Sequence, residues 1–426
     1  GHEGVFTDID SNLNFADIAW MITATIFVLM MTPGLSFFYG GMVRSKNVIS
    51  TMLQSFIAMG VISVIWVVVG FSLAFGEDVG HFIGNPGTFF MFVNVGGATD
   101  KLLAPTIPLA LYALFQMKFA IITPSLITGS FAERVRFSGY LVFMILFCIF
   151  VYCPLAHWTW HPDGFLRQMG VLDFAGGIVV HASSGVAALA GAIFLGRRKE
   201  SGQPANIPFV LLGAAMLWLG WFGFNAGSSL AANSIAVKAF LNTNTASATA
   251  MMTWVVFDCL RGRKPSAMGA AIGAVVGLVA ITPSAGYVTV GESIFIALVV
   301  TVICNMAVSW KNKKNSFDDA LDVFPTHGVG GIVGTIMTGI FVYNATENIT
   351  YWQNLLNHII AVVIVCGYTF IVTYALYWIT DKMIPMRVSE KSEKIGLDMS
   401  QHDERYGIET NRELAEYFDH GVDTKS

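Results

Sequence analysis

Uninterrupted runs of about twenty apolar residues constrain this chain more than any other feature of its sequence. A run of that length crosses the hydrocarbon core of a bilayer as one α-helix, and such runs recur along nearly all of the 426 residues. Only 12% of the residues are charged, against about 25% in soluble domains. The sequence therefore predicts an all-α polytopic membrane protein that lies in the lipid bilayer of the cell membrane.

Eleven segments of the chain are candidate transmembrane helices. The eighth and the tenth are short or rich in glycine. In order, the segments are 18–39, 52–75, 108–131, 137–158, 172–196, 207–227, 235–259, 267–281, 292–310, 324–342 and 357–384. Because the number is odd, we expect the two ends of the chain on opposite sides of the membrane.

Basic residues are distributed unevenly between the predicted loops. Thirteen Lys and Arg residues fall in alternate loops, whereas the other loops hold only Lys101 and Arg167. Loops rich in Lys and Arg face the cytoplasm. The sequence therefore predicts an extracytoplasmic N-terminal segment at 1–16, a membrane domain at 17–384, and a cytoplasmic C-terminal tail at 385–426.

This topology gives the first five helices and the next five opposite orientations. The two halves cover about 17–196 and 207–343, and the eleventh helix, about 357–384, is left over. The fifth helix contains "DFAGGIVVHASSG", which resembles "DVFPTHGVGGIVG" in the tenth. Transporters built from inverted repeats place the substrate path between the repeats, near the middle of the membrane. These residues alone leave internal duplication an open question.

Polar residues inside the apolar runs are the first candidate functional residues, because an ionised group there costs about 2.5–3.5 kcal/mol. Asp173 either caps the start of the fifth helix through backbone N–H groups or contacts a substrate. His181 lies eight residues further, about 12 Å deeper at the helical rise. His327 follows Pro325, which indicates a distorted helix start. The two histidines either make interhelical hydrogen bonds, or together hold a small polar molecule or pass a proton.

Aromatic residues near the ends of the predicted helices form a second group. They are Phe119, Trp160, Trp221 and Phe224, with the hydroxyl of Ser228 close by in the sequence. Aromatic residues at this depth are usually interfacial anchors. An aromatic cage also binds ammonium-type cations, with about 2 kcal/mol when the cation is desolvated. The residues themselves leave both interpretations open.

Seven motifs make the chain resemble the ammonium transporter (Amt/Mep/Rh) family, and the Amt branch more closely than Rh. The resemblance covers about residues 14–409. The motifs are "TPGLSFFYGGMVRSKNV", "GSFAERVRF", "LDFAGGIVVHASSG", "WFGFNAGS", "GLVAITPSAGYV", "DVFPTHGVGGIVGTIMTGIF" and "EKIGLDMSQHDERYG".

The resemblance implies a homotrimer with one narrow pore in each subunit. Ammonium, or methylammonium as its analogue, would be bound outside, deprotonated, conducted as ammonia past two histidines, and reprotonated. Potassium would be refused because it cannot lose a proton. The matching positions are Trp160, Phe119, Phe224 and Ser228 for recruitment, Phe119, Phe224, His181, His327, Trp221 and Thr282 for the gate and pore, and Asp173, Asp319 and Asp322 for the acidic positions. The resemblance also implies a PII-type regulatory protein as a partner at the cytoplasmic face.

Two residues depart from the family pattern. Lys118 adjoins Phe119, where relatives have a small or apolar residue, and Ile272 stands where relatives have a hydroxyl. Lys118 either points away from the pore or repels ammonium in front of it. Together with the charged tail after "DERYGIE", these residues support an alternative function. In that alternative the chain is an Amt-like ammonium sensor that conducts little and signals through its C-terminus.

The sequence does not lead us to expect several other classes of function. The sequence has no set of nucleophile and base that would indicate an enzyme, and it suggests no cofactor. Its five cysteines are scattered without the spacing of a metal site, so no metal is expected. The basic residues are explained by membrane topology, which leaves no sign of nucleic-acid binding.

Overall fold

The computed structural model describes residues 4–343 and 348–407, and this part of the chain is almost entirely helical. A two-stranded antiparallel hairpin pairs β1, Asp78–Val79, with β2, Ile83–Gly84. The α-helices of the described residues, α1 to α16 in chain order, are Phe15–Met42, Val48–Ile65, Phe71–Phe75, Leu109–Ile127, Phe137–Phe147, Cys153–Trp160, Phe165–Gln168, Ser183–Leu195, Ile207–Ala226, Ser234–Leu260, Ala267–Ile281, Val290–Lys314, Val329–Phe341, Tyr351–Met383, Glu390–Ile395 and Leu397–His402.

Short π-helical segments interrupt or begin several of these helices. Trp66–Gly70 joins α2 to α3, and Cys148–Tyr152 joins α5 to α6. Gly177–Ala182 leads into α8, and Phe324–Gly328 leads into α13. Such wide turns are rare and occur often at functional sites. The last two contain His181 and His327 respectively.

Each of the eleven predicted segments is helical in the structure, and the mostly helical, membrane-spanning fold class is confirmed. Among the described residues, eight helical stretches are long and apolar enough to cross a membrane, and α11 is apolar but shorter. The number of eleven transmembrane helices, the division into domains and the side on which each end lies remain predictions. The last part of the predicted C-terminal tail, residues 408–426, lies outside the described residues.

Side-chain caps explain where two helices depart from the predicted bounds. The fifth segment was expected to begin at 172, but its helical structure begins at Gly177 because Asp173 binds the backbone N–H groups that follow it. The last long helix begins at Tyr351 rather than at 357, since the Thr350 side chain accepts the N–H of Gln353. Capping interactions of this kind fix helix starts more sharply than hydropathy does.

Glycines bring the first half of the chain close to the second. A Cβ atom on Gly213 of α9 would lie 2.2 Å from the backbone nitrogen of Phe38 in α1. A Cβ atom on Gly185 of α8 would lie 2.1 Å from Cα of Gly328. Small residues at such crossings permit close helix packing in membranes. The second contact holds the two π-helical segments, and therefore the two histidines, next to each other.

The predicted basic loops gather at one end of the molecule, which we call the basic-loop end. There Glu133 pairs with Arg44 and Arg198, and Arg198 also pairs with Asp318. Burial alone would raise the pKa of Asp318, but the hydrogen bonds and charges of the neighbouring arginines lower it to about 2. This network ties the loops that follow α1, α4, α8 and α12 together.

The short helices α15 and α16 also pack at the basic-loop end. Asp398 of α16 accepts the backbone N–H groups of Ile49 and Ser50 at 3.0 and 2.7 Å. The Asn47 side chain accepts the N–H of Leu397 at 2.8 Å. Burial raises the pKa of Asp398 to about 7, although the two backbone donors act in the opposite direction. This part of the tail is therefore held against the start of α2.

Candidate functional site

A cavity of about 420 Å³, which we call the vestibule, lies at the end of the molecule opposite the basic loops. Aromatic rings and polar side chains form its wall, and Arg167 lies at its rim. Its lining residues include Tyr112, Gln116, Phe119, Thr159, Trp160, Arg167, Asp173, Phe174, Ser228 and Tyr287. Three of the four predicted recruitment positions, Trp160, Phe119 and Ser228, therefore line the vestibule. The fourth, Phe224, lies directly behind Phe119.

Trp160 is fixed in the vestibule wall by two hydrogen bonds. Its indole N–H donates to the Asp173 carbonyl at 2.8 Å. Its own carbonyl accepts from the Arg167 guanidinium at 2.6 Å. The ring meets Phe119 edge to face, with 5.8 Å between the centroids. An indole held in this way offers a preset face to a cation and needs no rearrangement when one arrives.

Asp173 stabilises the start of the fifth predicted helix. Its two carboxylate oxygens accept the backbone N–H groups of Gly176, Gly177, Ile178 and Val179, at 2.5 to 3.3 Å. The side chain is 5% exposed and still contributes to the vestibule wall. The geometry thus places a helix-capping carboxylate directly beneath the vestibule.

Two phenyl rings close the inner side of the vestibule. Phe119 of α4 and Phe224 of α9 stack with 4.1 Å between their centroids and an angle of 12° between their planes. Both are buried, at 1% and 0% exposure. Because no water fits between rings at this distance, any molecule that passes must displace them.

His181 and His327 meet behind the stacked rings. Their Nδ1 atoms are 3.1 Å apart, and both side chains are buried. One Nδ1 must therefore donate and the other accept, so a single hydrogen lies between the two imidazoles. Nε2 of His181 is buried and has no hydrogen-bond partner within the part of the chain that the structure describes.

The histidines line a narrow space that we call the histidine chamber. Apart from His181 and His327, its walls are apolar or aromatic: Met31, Ile122, Leu126, Leu217, Trp221 and Phe224. Trp221 stacks on His181 with 5.1 Å between the centroids, and its N–H donates to the Thr282 hydroxyl at 2.9 Å. Thr282 therefore acts on the chamber through Trp221. The surroundings favour a neutral molecule over an ion, because an apolar wall cannot replace a hydration shell.

A second narrow space, the inner chamber, lies on the far side of His327. Its lining residues include Phe38, Tyr39, Ile272, Val275, Leu321, Asp322, Thr326 and His327. Ile272 thus presents an apolar side chain to the path, as its position in the sequence suggested. Asp322 forms an ion pair with Lys311, whose Nζ also donates to the Asp319 carbonyl at 2.8 Å.

The structure corrects the way in which the two halves correspond. The sequence motifs pair Asp173 with Asp322, but Asp319 performs the equivalent task. Asp319 accepts the N–H groups of Val323 and Phe324 at 3.0 and 2.7 Å, as Asp173 does for its own π-helical segment. Asp173 precedes His181 by eight residues, and Asp319 precedes His327 by eight. Burial raises the pKa of Asp319 to about 6, against the opposing charge of Lys311.

Lys118 lies beside the gate in the sequence but not in space. It is half-buried on α4, with its Nζ 3.8 Å from the sulfur of Met117. Among the described residues that line the vestibule and the two chambers, Lys118 is not present. Its charge therefore does not face these three cavities, which weakens one of the grounds for the sensor hypothesis.

Two vestibule residues escaped the sequence analysis. Oε1 of Gln116 and the hydroxyl of Thr159 are buried, and neither has a hydrogen-bond partner among the described residues. Both line the vestibule, where a ligand with N–H donors would satisfy them. Gln116 precedes Phe119 by one helical turn, and Thr159 adjoins Trp160. Their position beside predicted residues was the only available signal.

Comparisons with known proteins show which family and which solved structures this chain resembles. The family model described as the Ammonium Transporter Family matches residues 19–406. A putative ammonium transporter of Methanothermobacter thermautotrophicus is 45% identical over 402 residues, which cover 92% of this chain and 98% of that protein.

Two solved structures extend the comparison. The crystal structure of Candida albicans Mep2 is similar with a TM-score of 0.84 and 36% identity, over 90% of this chain and 89% of that one. A structure described as a Sensor Amt Protein has a TM-score of 0.84 at 30% identity, over 91% of this chain and 98% of that one.

Proposed function

The chain belongs to the ammonium transporter family and is a multi-pass protein of the cell membrane, and from that premise we propose a route by which it transports ammonium. Ammonium binds in the vestibule, loses a proton near the stacked rings, and continues as ammonia through the histidine chamber. The proton follows a separate path along the two imidazoles. The observation that carries this proposal is the buried contact of 3.1 Å between the Nδ1 atoms of His181 and His327.

Binding of ammonium in the vestibule is supported by the acceptors that meet there. The Ser228 hydroxyl donates its hydrogen to the Phe224 carbonyl at 2.7 Å, so its lone pairs remain free for an N–H donor. The faces of Trp160 and Phe119 add cation–π attraction. Gln116 and Thr159 supply two further acceptors that have no hydrogen-bond partner among the described residues. A tetrahedral ion with four N–H groups satisfies these acceptors, whereas potassium offers no directed donors.

Deprotonation follows from what lies beyond the rings. The walls of the histidine chamber are largely apolar, and an ion there would lose its hydration without compensation. Ammonia is neutral and avoids this cost. Ammonium therefore gives up one proton to His181 as it passes the stacked rings of Phe119 and Phe224, and the molecule that continues through the histidine chamber is NH₃.

The two imidazoles provide a balanced path for the proton. In the tautomer in which His181 donates through Nδ1, its Nε2 carries a lone pair and accepts the proton from ammonium. The Nδ1 hydrogen then passes to Nδ1 of His327, which releases its own Nε2 hydrogen toward the inner chamber. His327 lines both chambers, which suits that role. Reprotonation of ammonia in the inner chamber completes net transport of NH₄⁺.

Removal of either histidine tests this route. We expect His181→Asn and His327→Asn to abolish ammonium-evoked currents on solid-supported membranes, because asparagine cannot relay a proton. The control is His81→Gln, a change of an exposed histidine far from the chambers, which should leave the currents unchanged. Currents of undiminished size in the double histidine variant would refute the relay.

Uptake of [¹⁴C]methylammonium, measured beside its binding, distinguishes transport from sensing. We expect the wild-type chain to take up methylammonium into proteoliposomes. Binding without uptake would instead establish the sensor alternative. Of the other two grounds for that alternative, Ile272 lines the inner chamber, and the charged tail extends beyond the described residues.

The assembly and the regulatory partner are proposals that rest on the family. We propose that three copies form a homotrimer, each with its own path, and that a PII-type protein docks at the basic-loop end. The network of ion pairs among Glu133, Arg198 and Asp318 lies at that end and links the loops on which such a protein would dock. Native mass spectrometry of the purified protein in detergent tests the trimer directly.

A further inference from the structure

Three side chains with metal-ligating atoms meet outside the transport route. Asp78 lies in the β1–β2 hairpin, whereas His157 lies in α6 and His161 follows its end. One ligand atom from each lies within 4.8 Å of the others. His157 and His161 are 0% and 4% exposed, so they are not simply surface histidines.

His157 has the hydrogen-bond pattern of a metal-ligating histidine. Its Nδ1 is 2.8 Å from the Ala74 carbonyl, which can only accept, so Nδ1 carries a hydrogen. Its Nε2 shares a hydrogen with Oδ1 of Asp78 at 2.6 Å, and it is the nitrogen that a metal ion would bind in place of that hydrogen. Metal-bound histidines almost always donate their second ring nitrogen to a carbonyl or carboxylate in this way.

His161 completes the group from the neighbouring turn. Its ring stacks on that of His157 with 4.4 Å between the centroids. Its Nδ1 accepts the backbone N–H of Asp163 at 3.0 Å. A ligating His161 must give up this bond or turn its other nitrogen inward, which costs one hydrogen bond of about 1 kcal/mol. A coordinate bond to a divalent ion exceeds that cost by a wide margin.

We propose that Asp78, His157 and His161 form a binding site for Zn²⁺. Two imidazoles and one carboxylate are a donor set that zinc accepts in tetrahedral geometry, with the fourth position left to water. Calcium and magnesium prefer oxygen donors throughout and do not suit two imidazoles. Zinc replaces the hydrogen shared between His157 and Asp78, and the distance between Nε2 and Oδ1 widens to about 3.3 Å, the edge of a tetrahedron with bonds near 2 Å.

The site would stabilise the part of the vestibule wall that contains Trp160, without contacting the substrate. His157 and His161 lie on either side of Trp160 in the chain, and Asp78 belongs to a separate hairpin. A bound ion would link the hairpin to the end of α6. The proposal does not depend on the transport route, since none of its ligands lines the vestibule or the two chambers.

Calorimetry with ZnCl₂ on the purified full chain in nanodiscs tests the site. The titration uses a Cys259→Ser background, because Cys259 is an exposed thiol and a competing zinc ligand. We expect one site per chain and release of about one proton, measured in two buffers of different ionisation enthalpy. We expect His161→Asn and Asp78→Asn to weaken zinc binding at least tenfold.

Two controls make the result decisive. His81→Gln removes an exposed histidine of the same hairpin that lies 3.5 Å from the other Asp78 oxygen, and it should retain wild-type zinc affinity. Thermal unfolding measured without zinc establishes that each variant is folded. If Asp78→Asn does not fold, the zinc affinity of His161→Asn alone decides the matter. Zinc affinity that is equal in wild type and His161→Asn, or no binding at all, would overturn the proposal.

Discussion

At the scale of single residues, the proposed binding site depends on which polar atoms can still accept a hydrogen bond. The hydroxyl of Ser228 donates its single hydrogen to the Phe224 carbonyl and accepts none, whereas the hydroxyl of Ser229 donates to the carbonyl of either Ala226 or Ala231 and also accepts the N–H of Ala231 at 3.4 Å. Only Ser228 lines the vestibule. Two adjacent serines with the same chemistry therefore differ in function because of their hydrogen bonds.

Ser228→Ala should weaken ammonium capture and leave the later steps intact. A hydrogen bond to a charged group contributes about 1.5–3 kcal/mol, so we expect the apparent KM for methylammonium to rise about tenfold or more with little change in maximal rate. Ser229→Ala is the matched control and should transport normally. Equal KM values in the two variants would exclude Ser228 from the binding site.

The sequence identified the main residues of the site but not all of them. Phe224 and the two histidines were found because they fall in motifs of a known family, and Phe119 was found because its position matches that family. Gln116 and Thr159 were missed, since what distinguishes them is a buried atom without a partner. That property depends on every surrounding side chain and cannot be read from one sequence.

At the scale of elements, carboxylates determine where several helices begin. Asp173 and Asp319 each bind the backbone of a π-helical segment, and Asp398 binds the start of α2. Hydropathy located the long apolar helices but not these starts, because an apolar run does not show which side chain folds back onto the backbone. The pairing of Asp173 with Asp322 was wrong for the same reason.

Docking of α15 and α16 should depend on pH through Asp398. Docked Asp398 keeps its proton up to about pH 7, whereas in a released tail the carboxyl loses it near its ordinary pKa of 3.8. Between these values the docked state binds more protons. Docking therefore becomes less favourable as pH rises from about 4 to about 7, and its free energy stays constant above that.

Hydrogen exchange measures this dependence. Protection factors of the backbone amides in α15 and α16 should decrease between pH 5 and pH 8 in the wild type. Asp398→Asn cannot ionise and should show no such decrease. Asp403→Asn, a change of an exposed residue in the same segment, should behave as wild type. A decrease of equal size in Asp398→Asn would assign the effect to another group.

At the scale of the whole molecule, the two halves pack closely where glycines face each other. Gly185 and Gly328 bring α8 against the second π-helical segment, and the two histidines meet beside that contact. The sequence predicted both histidines in the path but not their separation, which depends on backbone contacts between residues far apart in the chain. The Asp78 cluster escaped detection for the same reason, since its hairpin is distant from His157 in the sequence.

Gly185→Ala should separate the two halves at the histidines. The added methyl would lie 2.1 Å from Cα of Gly328, and overpacking of this kind typically costs about 1–3 kcal/mol. We expect methylammonium uptake to fall at least tenfold, with a lower thermal unfolding temperature. Gly60→Ala is the control, because a Cβ on Gly60 meets nothing within 4 Å. Unchanged uptake in Gly185→Ala would show that the close approach is dispensable.

The direction of the single hydrogen bond between the two imidazoles depends on whether a proton has just passed. Under the proposed relay, each forward passage leaves the hydrogen bond between His181 and His327 pointing the opposite way. The next ion then finds Nε2 of His181 already protonated, and it waits until both rings exchange their hydrogens back. Turnover would accordingly be limited by this reset, so a slower rate in heavy water is expected even where substrate supply is saturating.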